Sequence, residues 1–254
     1  MRIGSACLLA ALLSACATGG GSDFRGVAEA TQPAKEHSGD ARVRVQLGVQ
    51  YLQRKQYDQA LRVLNEAVGR YPQLPGPVSA LALVYERLGD ARAADASFRR
   101  AVDLDANDAA IRNNFANFLC RQGRYAEARV QFERAFEDRL YRQPAQLHAN
   151  AGVCALRIPD LGLADIEFRK ALSLSPSHPV ALYEMAAISL KLRHYAVGLG
   201  YLDRFERRRE HSPASLWLGV RLARGGKHLD RELRYARDLS RRFPDSLEAG
   251  WLLR

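Results

Sequence analysis

Side chains able to attack a substrate, ligate a metal or carry a covalent group are few in this chain, and their spacing keeps them apart. The histidines, His37, His148, His178, His194, His211 and His228, are scattered. No H-E-x-x-H and no paired ligand spacing for zinc occurs, so no metal site and no cofactor is expected. No G-x-S-x-G turn presents a serine nucleophile. Gly225-Gly226-Lys227 lacks the upstream glycine and the following Ser/Thr of a phosphate-cradling loop, which leaves it as a turn between helices. Glu66, Glu133 and Glu167 fall amid arginines on helical segments, the pattern of exposed ion pairs rather than of general acid–base catalysis. Neither an enzyme nor a small-molecule substrate is expected.

Cysteine chemistry is the exception. Residues 1–16 read MRIGSACLLAALLSAC: Arg2 supplies a positive start, Ala6 to Leu13 an apolar run, and Leu13-Ser14-Ala15-Cys16 closes it with small residues before a cysteine. That is a secretory signal, and its apolar stretch is far shorter than the roughly 18–20 residues of a membrane-spanning helix. Leu13-Ser14-Ala15-Cys16 resembles the bacterial lipobox, which implies cleavage before Cys16 and a lipid on its thiol; the alternative is an ordinary signal peptide that leaves a free thiol. Ala17, rather than Asp, after the cysteine implies the outer membrane as destination, anchored in its inner leaflet and facing the periplasm. Residues 17–40, rich in Gly, Ser, Thr and Ala, read as a flexible tether with a reach of roughly 25–30 Å. Cys120 and Cys154 remain. A disulfide is permitted in an oxidising compartment, but the two occupy non-equivalent positions in adjacent repeats, which favours two free, packed thiols.

The elements that carry these residues are repetitive. Leu47-Gly48-x2-Tyr51 recurs as Leu81-Ala82-x2-Tyr85, Phe115-Ala116-x2-Leu119, Ala151-Gly152-x2-Ala155 and Met185-Ala186, each 34 residues on, or 36 once. A second series follows: Ala60, Leu64, Ala67; Ala94, Phe98, Ala101; Ala128, Phe132, Ala135; Ala164, Phe168, Ala171. Pro72, Ala106 and Pro176 close the repeats. This is the tetratricopeptide (TPR) pattern, in which small residues let two antiparallel helices approach and large ones fill the space between them. The expectation is an all-α, right-handed superhelical solenoid of about six helix-turn-helix repeats over 41–254, starting near 41, 75, 109, 145, 179 and 212, after a signal peptide (1–15) and a lipidated tether (16–40). Pro159 is placed at the start of a second helix, where a missing N–H costs little. The sixth repeat fits its second helix only with a one-residue slip. Two extra residues around Asp138 to Pro144 lengthen one connector.

What such a stack offers is a surface. First helices line its concave groove, and this register sends Val45, Val49, Leu52, Leu83, Asn113, Asn117, Val153 and Leu156 toward it. The N-terminal part is apolar, suited to an extended or helical apolar segment, with Asn113 and Asn117 offering amides to a ligand backbone; equally, Val49 and Leu52 would serve packing between helices. The net charge of +10 suggests nucleic acid, but export removes that partner, and most arginines mix with acids on helix exteriors. Around the last repeat Arg207, Arg208, Arg209, Arg221, Arg224, Lys227, Arg231, Arg234, Arg237, Arg241 and Arg242 outnumber the acids, which suits an acidic partner or anionic headgroups.

Taken from Val45 to Glu248, the chain resembles the type IV pilus biogenesis and stability lipoproteins of the PilF/PilW family. The residues that carry this are Leu47-Gly48-x2-Tyr51-Leu52, the run Asn113-Asn114-Phe115 to Phe118-Leu119 with Arg124-Tyr125-x-Glu127-Ala128, and Ser215-Leu216-x-Leu218-Gly219-x-Arg221-Leu222-Ala223 followed by Phe243-Pro244-x-Ser246-x-Glu248. The resemblance implies a pilotin, which binds secretin subunits and promotes their outer-membrane localisation and multimerisation. A generic outer-membrane TPR lipoprotein scaffolding β-barrel assembly or envelope enzymes shares the physical features but not those runs.

Overall fold

In the computed structural model, which describes residues 31–158, 161–207 and 209–253, every regular element is helical. Helix α1 (Thr31–Gln53) pairs with α2 (Tyr57–Arg70). Five antiparallel pairs follow: α3 (Pro75–Leu88) with α4 (Ala91–Leu104), α5 (Ala109–Arg121) with α6 (Tyr125–Phe136), α7 (Pro144–Ala155) with α8 (Leu161–Leu174), α9 (Pro179–Lys191) with α10 (Tyr195–Glu206), and α11 (Pro213–Gly225) with α12 (Leu229–Arg242). A one-turn helix α13 (Leu247–Gly250) and a 3₁₀ turn (Trp251–Leu253) close the stack against α11 and α12. Residues Ala41–Arg254 form one compact unit. No helix among the described residues is long and apolar enough to cross a bilayer.

Helix starts and stops follow local chemistry. Pro75, Pro144, Pro179 and Pro213 open their helices, where a missing N–H costs little. Asp90 accepts from the Ala93 N–H (2.9 Å), Asp108 from Ile111 (3.0 Å), and Ser212 forms a reciprocal cap with Ser215. The turn within a repeat needs a left-handed residue: Gly89 and Gly123 supply it in the second and third repeats, whereas Lys55, Arg193 and Lys227 hold φ near +60° in the first, fifth and sixth. Arginines fasten the closing residues, since Arg100, Arg112 and Arg204 donate to the carbonyls of Pro72, Ala106 and Pro176.

Each repeat is joined by one small-to-large contact sixteen residues apart. Ala82 packs with Phe98, Ala116 with Phe132 and Ala186 with Leu202 inside the core clusters, and Gly48, Gly152 and Gly219 lie so close to Leu64, Phe168 and Tyr235 that an added Cβ would sit 2.6–2.7 Å away. In the sixth repeat the left-handed turn residue falls one position later, yet Tyr235 keeps the sixteen-residue spacing. The slip is therefore confined to the turn. Between repeats, each second helix packs on the following first helix, and from α3 onward successive first helices also touch, whereas no two second helices pack together among the described contacts. First helices therefore lie on the inner side of the curve.

Two expectations need correction. The tether expected over 16–40 is helical from Thr31: Ala34, Lys35 and Glu36 extend a helix already nucleated by its packed C-terminal half, and Pro33 falls in its first turn. Cys120 and Cys154 are not free thiols but a disulfide between α5 and α7, with Cα atoms 5.7 Å apart. Cys120 follows the small Ala116 by four residues and Cys154 follows Gly152 by two, so non-equivalent positions of adjacent first helices meet. The signal peptide, Cys16 and Pro159 lie outside the described residues.

Replacing Gly152 with Ala forces its methyl into the Phe168 ring and should cost about 1–3 kcal/mol, whereas Gly200→Ala, on an open face of α10, should stabilise by about 0.5–1 kcal/mol. Urea midpoints of the two variants should therefore move in opposite directions. Cys120→Ala/Cys154→Ala removes a cross-link spanning 34 residues and should lower the unfolding free energy by about 3–4 kcal/mol.

Candidate functional site

The inner face built by the first helices changes character along its length. At its N-terminal end Val45, Val49 and Leu83 are half-buried, each leaning on a core of Ala60, Leu64, Ala80, Leu81 and Val84 while keeping part of its surface in water. Leu52 differs: at 8% exposure it belongs to that core and packs between helices. Val153 and Leu156 are half-buried against Phe168 and its neighbours in the fourth repeat, again with apolar surface left over. Val45, Val49 and Leu83 thus form an apolar strip over one shared core, of which Leu52 is part.

Midway, amides replace aliphatics, but not as free ligand groups. Asn113 is only 6% exposed. Its Oδ1 accepts from Asn150 Nδ2 (3.0 Å) and Asn117 Nδ2 (3.4 Å), and its side chain is also hydrogen-bonded to the Tyr141 hydroxyl. Asn150 Oδ1 in turn accepts from Gln146 Nε2 (2.8 Å), and Gln146 Oε1 lies 3.2 Å from His178 Nε2. The expectation that Asn113 offers its amide to a ligand is therefore corrected: a buried amide satisfies itself, and this one ties the third repeat to the fourth. Asn117 gives one N–H to the ladder, and its Oδ1 has no partner among the described residues.

The sequence reading missed Gln146, Asn150, Tyr141 and His178. Only a lateral alignment of adjacent first helices would have found them. His178 caps α9, its Nδ1 accepting from the Ala181 N–H (3.4 Å), so its Nε2–H donates to Gln146. Burial pushes His178 below the ordinary histidine value. Glu167 is a further correction, being 6% exposed rather than on the surface. His148 Nδ1 donates to it at 2.6 Å and Lys170 at 2.8 Å, with Phe136 stacked on the His148 ring. Burial works to raise the Glu167 pKa, and the hydrogen bonds from His148 and Lys170 outweigh it and leave the carboxyl below its usual range. Glu66 and Glu133 are exposed and pair with the half-buried Arg44 and the exposed Arg129.

A cleft of about 1000 Å³ lies between the connectors 105–108 and 137–143. The second connector is the lengthened one. Its walls mix Asp105, Asp108 and Glu137 with Arg112, Arg134 and Arg142, an arrangement that selects no single charge. Among the described residues no three histidine, cysteine or carboxylate side chains gather as a metal site.

Tetratricopeptide repeat models match residues 42–73, 79–108 and 109–140. The type IV pilus assembly protein PilF of Pseudomonas aeruginosa is 32% identical over 244 residues, which cover 95% of this chain and 93% of that protein. The solved structure of Pseudomonas aeruginosa PilF has a TM-score of 0.77 at 31% identity, over 86% of this chain and 98% of that one. PilW, a widely conserved type IV pilus biogenesis factor, gives 0.76 at 26% identity, over 84% and 98%.

Neutral His178 makes stability depend on pH. Its folded pKa lies below the ordinary 6.5, so below that pH the unfolded chain binds the proton first. The stability held by the neutral ring is present above about pH 6.5 and is lost as pH falls toward the folded value. His178→Asn keeps a capping acceptor without titrating. Its urea midpoint should fall less than the parent's between about pH 7.5 and 5.5; parallel curves would remove His178 from the pH response.

Proposed function

This chain belongs to the PilF/PilW family of tetratricopeptide-repeat proteins of type IV pilus biogenesis, and from that premise we propose that it is an outer-membrane pilotin. In this reading the lipid on Cys16 anchors it to the inner leaflet, and the groove of the first repeats binds secretin subunits so that they reach the outer membrane and multimerise there.

The observation that carries the reading is the apolar strip of Val45, Val49 and Leu83 on the inner face of the first two repeats. Half-buried aliphatics in a groove give up their remaining water-exposed surface to a partner at little conformational cost, because the core already holds their rotamers. An apolar helix or extended segment of a secretin subunit fits such a strip, reading successive anchors along the first helices. Anchoring adds the second half of the mechanism. A lipid at Cys16 confines the groove to a thin layer at the bilayer, so captured subunits are held at high effective concentration where assembly takes place.

Val49→Glu/Leu83→Glu places carboxylates on the strip while leaving the core beneath it intact. The double variant should retain the parent's circular dichroism and a cooperative urea transition, at a lower midpoint, and bind secretin at least about tenfold more weakly; undiminished binding by the folded variant would sink the groove assignment. In a deletion strain, membrane fractionation and unheated gels should show outer-membrane secretin multimers lost, restored by the parent gene and not by Cys16→Ala.

A further inference from the structure

The far end of the stack carries a surface the groove does not use. Helix α12 buries Tyr235 and Leu239 and turns its opposite face to water. On that face Leu229 (65% exposed), Leu233 (58% exposed), Arg237 and Arg241 follow one another at four-residue spacing and form a single ridge. Two large exposed leucines on so polar a helix are not required by the fold. Many arginines on and beside the second helices are held by carboxylates: Arg99 and Arg124 by Asp95 and Glu127, Arg129 by Glu133, Arg169 by Asp165, and on α12 itself Arg231 by Asp203 and Arg234 by Glu206. Arg237, Arg241 and Lys227 have no carboxylate partner among the described residues. Glu232 is taken by Arg224, Asp238 is half-buried, and Asp230 sits in the first turn, where it offsets the helix dipole. Over residues 207–242 eleven Lys and Arg stand against four Asp and Glu.

We propose that the outer face of α12 docks on anionic phospholipid headgroups, laying the C-terminal end of the solenoid against the bilayer. This rests on the outer-membrane placement argued above. The chemistry distinguishes a membrane from an acidic protein segment. Second helices lie on the outer side of the curve, so the ridge is convex and offers no groove to a peptide. Leucines interleaved with unpaired arginines are what an interfacial helix needs: the aliphatic chains enter the headgroup boundary, and the guanidinium groups reach the phosphates beside them. Each unpaired cation near an anionic surface multiplies partitioning roughly fivefold, and a lipid anchor on the same chain makes the encounter intramolecular.

The test uses the full lipidated chain in vesicles. With Cys120 and Cys154 bonded to each other and Cys16 acylated, the thiol of a Leu233→Cys variant takes a polarity-sensitive fluorophore. The expected result is a blue shift in vesicles containing about one-third phosphatidylglycerol and none in pure phosphatidylcholine. Arg237→Glu/Arg241→Glu should weaken it at least about tenfold. A probe at Ile166→Cys, half-exposed on α8, should stay aqueous throughout. No shift at position 233, a shift indifferent to lipid charge, or a shift produced by secretin without lipid would each overturn the proposal. The vesicle arm contains no secretin, so Val49→Glu/Leu83→Glu should leave its shift unchanged, and failure of the groove assignment is separable from failure of this one.

Discussion

The stack depends on how closely two antiparallel helices can approach within a repeat, and one residue pair sets that distance each time. A glycine or alanine on the first helix receives a leucine, phenylalanine or tyrosine sixteen residues later, from Gly48 and Leu64 to Gly219 and Tyr235. Where the small residue is glycine, no room remains for a methyl group. Close approach inside each pair lets first helices nest laterally against their neighbours, and that nesting makes an inner face at all. The last pair adds a polar demand, because Tyr235 brings a hydroxyl into the core. It is met by Glu206, which accepts its hydrogen bond at 2.5 Å. Burial and that carboxylate push the phenol to about 12, so it stays a donor at any pH the cell presents.

Contacts within a repeat were legible in the sequence, since they recur at fixed spacing and each has a composition of its own. Pro75, Pro179 and the Ala82–Phe98 type of pair could be placed by counting alone. Contacts between repeats were not. Asn113 meets Asn150 and Cys120 meets Cys154 at positions that do not correspond in the repeat, each pairing carrying its own displacement between neighbouring first helices. Counting residues cannot supply that displacement. Glu167 was misread for the same reason: Ile166, Arg169 and Lys170 beside it are exposed, but His148, from another helix and with Phe136 stacked on its ring, closes over it. Leu52 marks a subtler limit, since a position that faces the groove in one repeat becomes core when the following first helix leans over it.

Polar links between repeats occur from Glu86–Arg121 to Glu206–Tyr235, but the amide ladder and the disulfide have their own place, and it has mechanical meaning. The amide ladder from Asn117 to His178 and the Cys120–Cys154 disulfide join the third repeat to the fourth and the fourth to the fifth. That is where the connector after Phe136 is longest and the second helix is least constrained to follow the first. In a repeat stack each unit touches only its neighbours, so the interface with the longest connector would be the natural hinge. Polar and covalent links across first helices remove that freedom at the inner face, where shear would otherwise open the groove.

In the first two repeats Val45, Val49 and Leu83 rest on aliphatic contacts without directional bonds, and the second repeat is tied to the third at the end of its first helix by the bidentate Glu86–Arg121 pair. Aliphatic surfaces adjust to a partner's shape by small rotamer changes, whereas an amide ladder with every member bonded does not. The chain therefore places its adaptable surface at one end and a stiffened segment in the middle. A partner held by Val45, Val49 and Leu83 is then positioned relative to the sixth repeat by a body that does not bend at its longest connector. If the outer face of α12 lies on the bilayer, that stiffness fixes the orientation of the groove above the membrane, which a lipid on a tether alone cannot do.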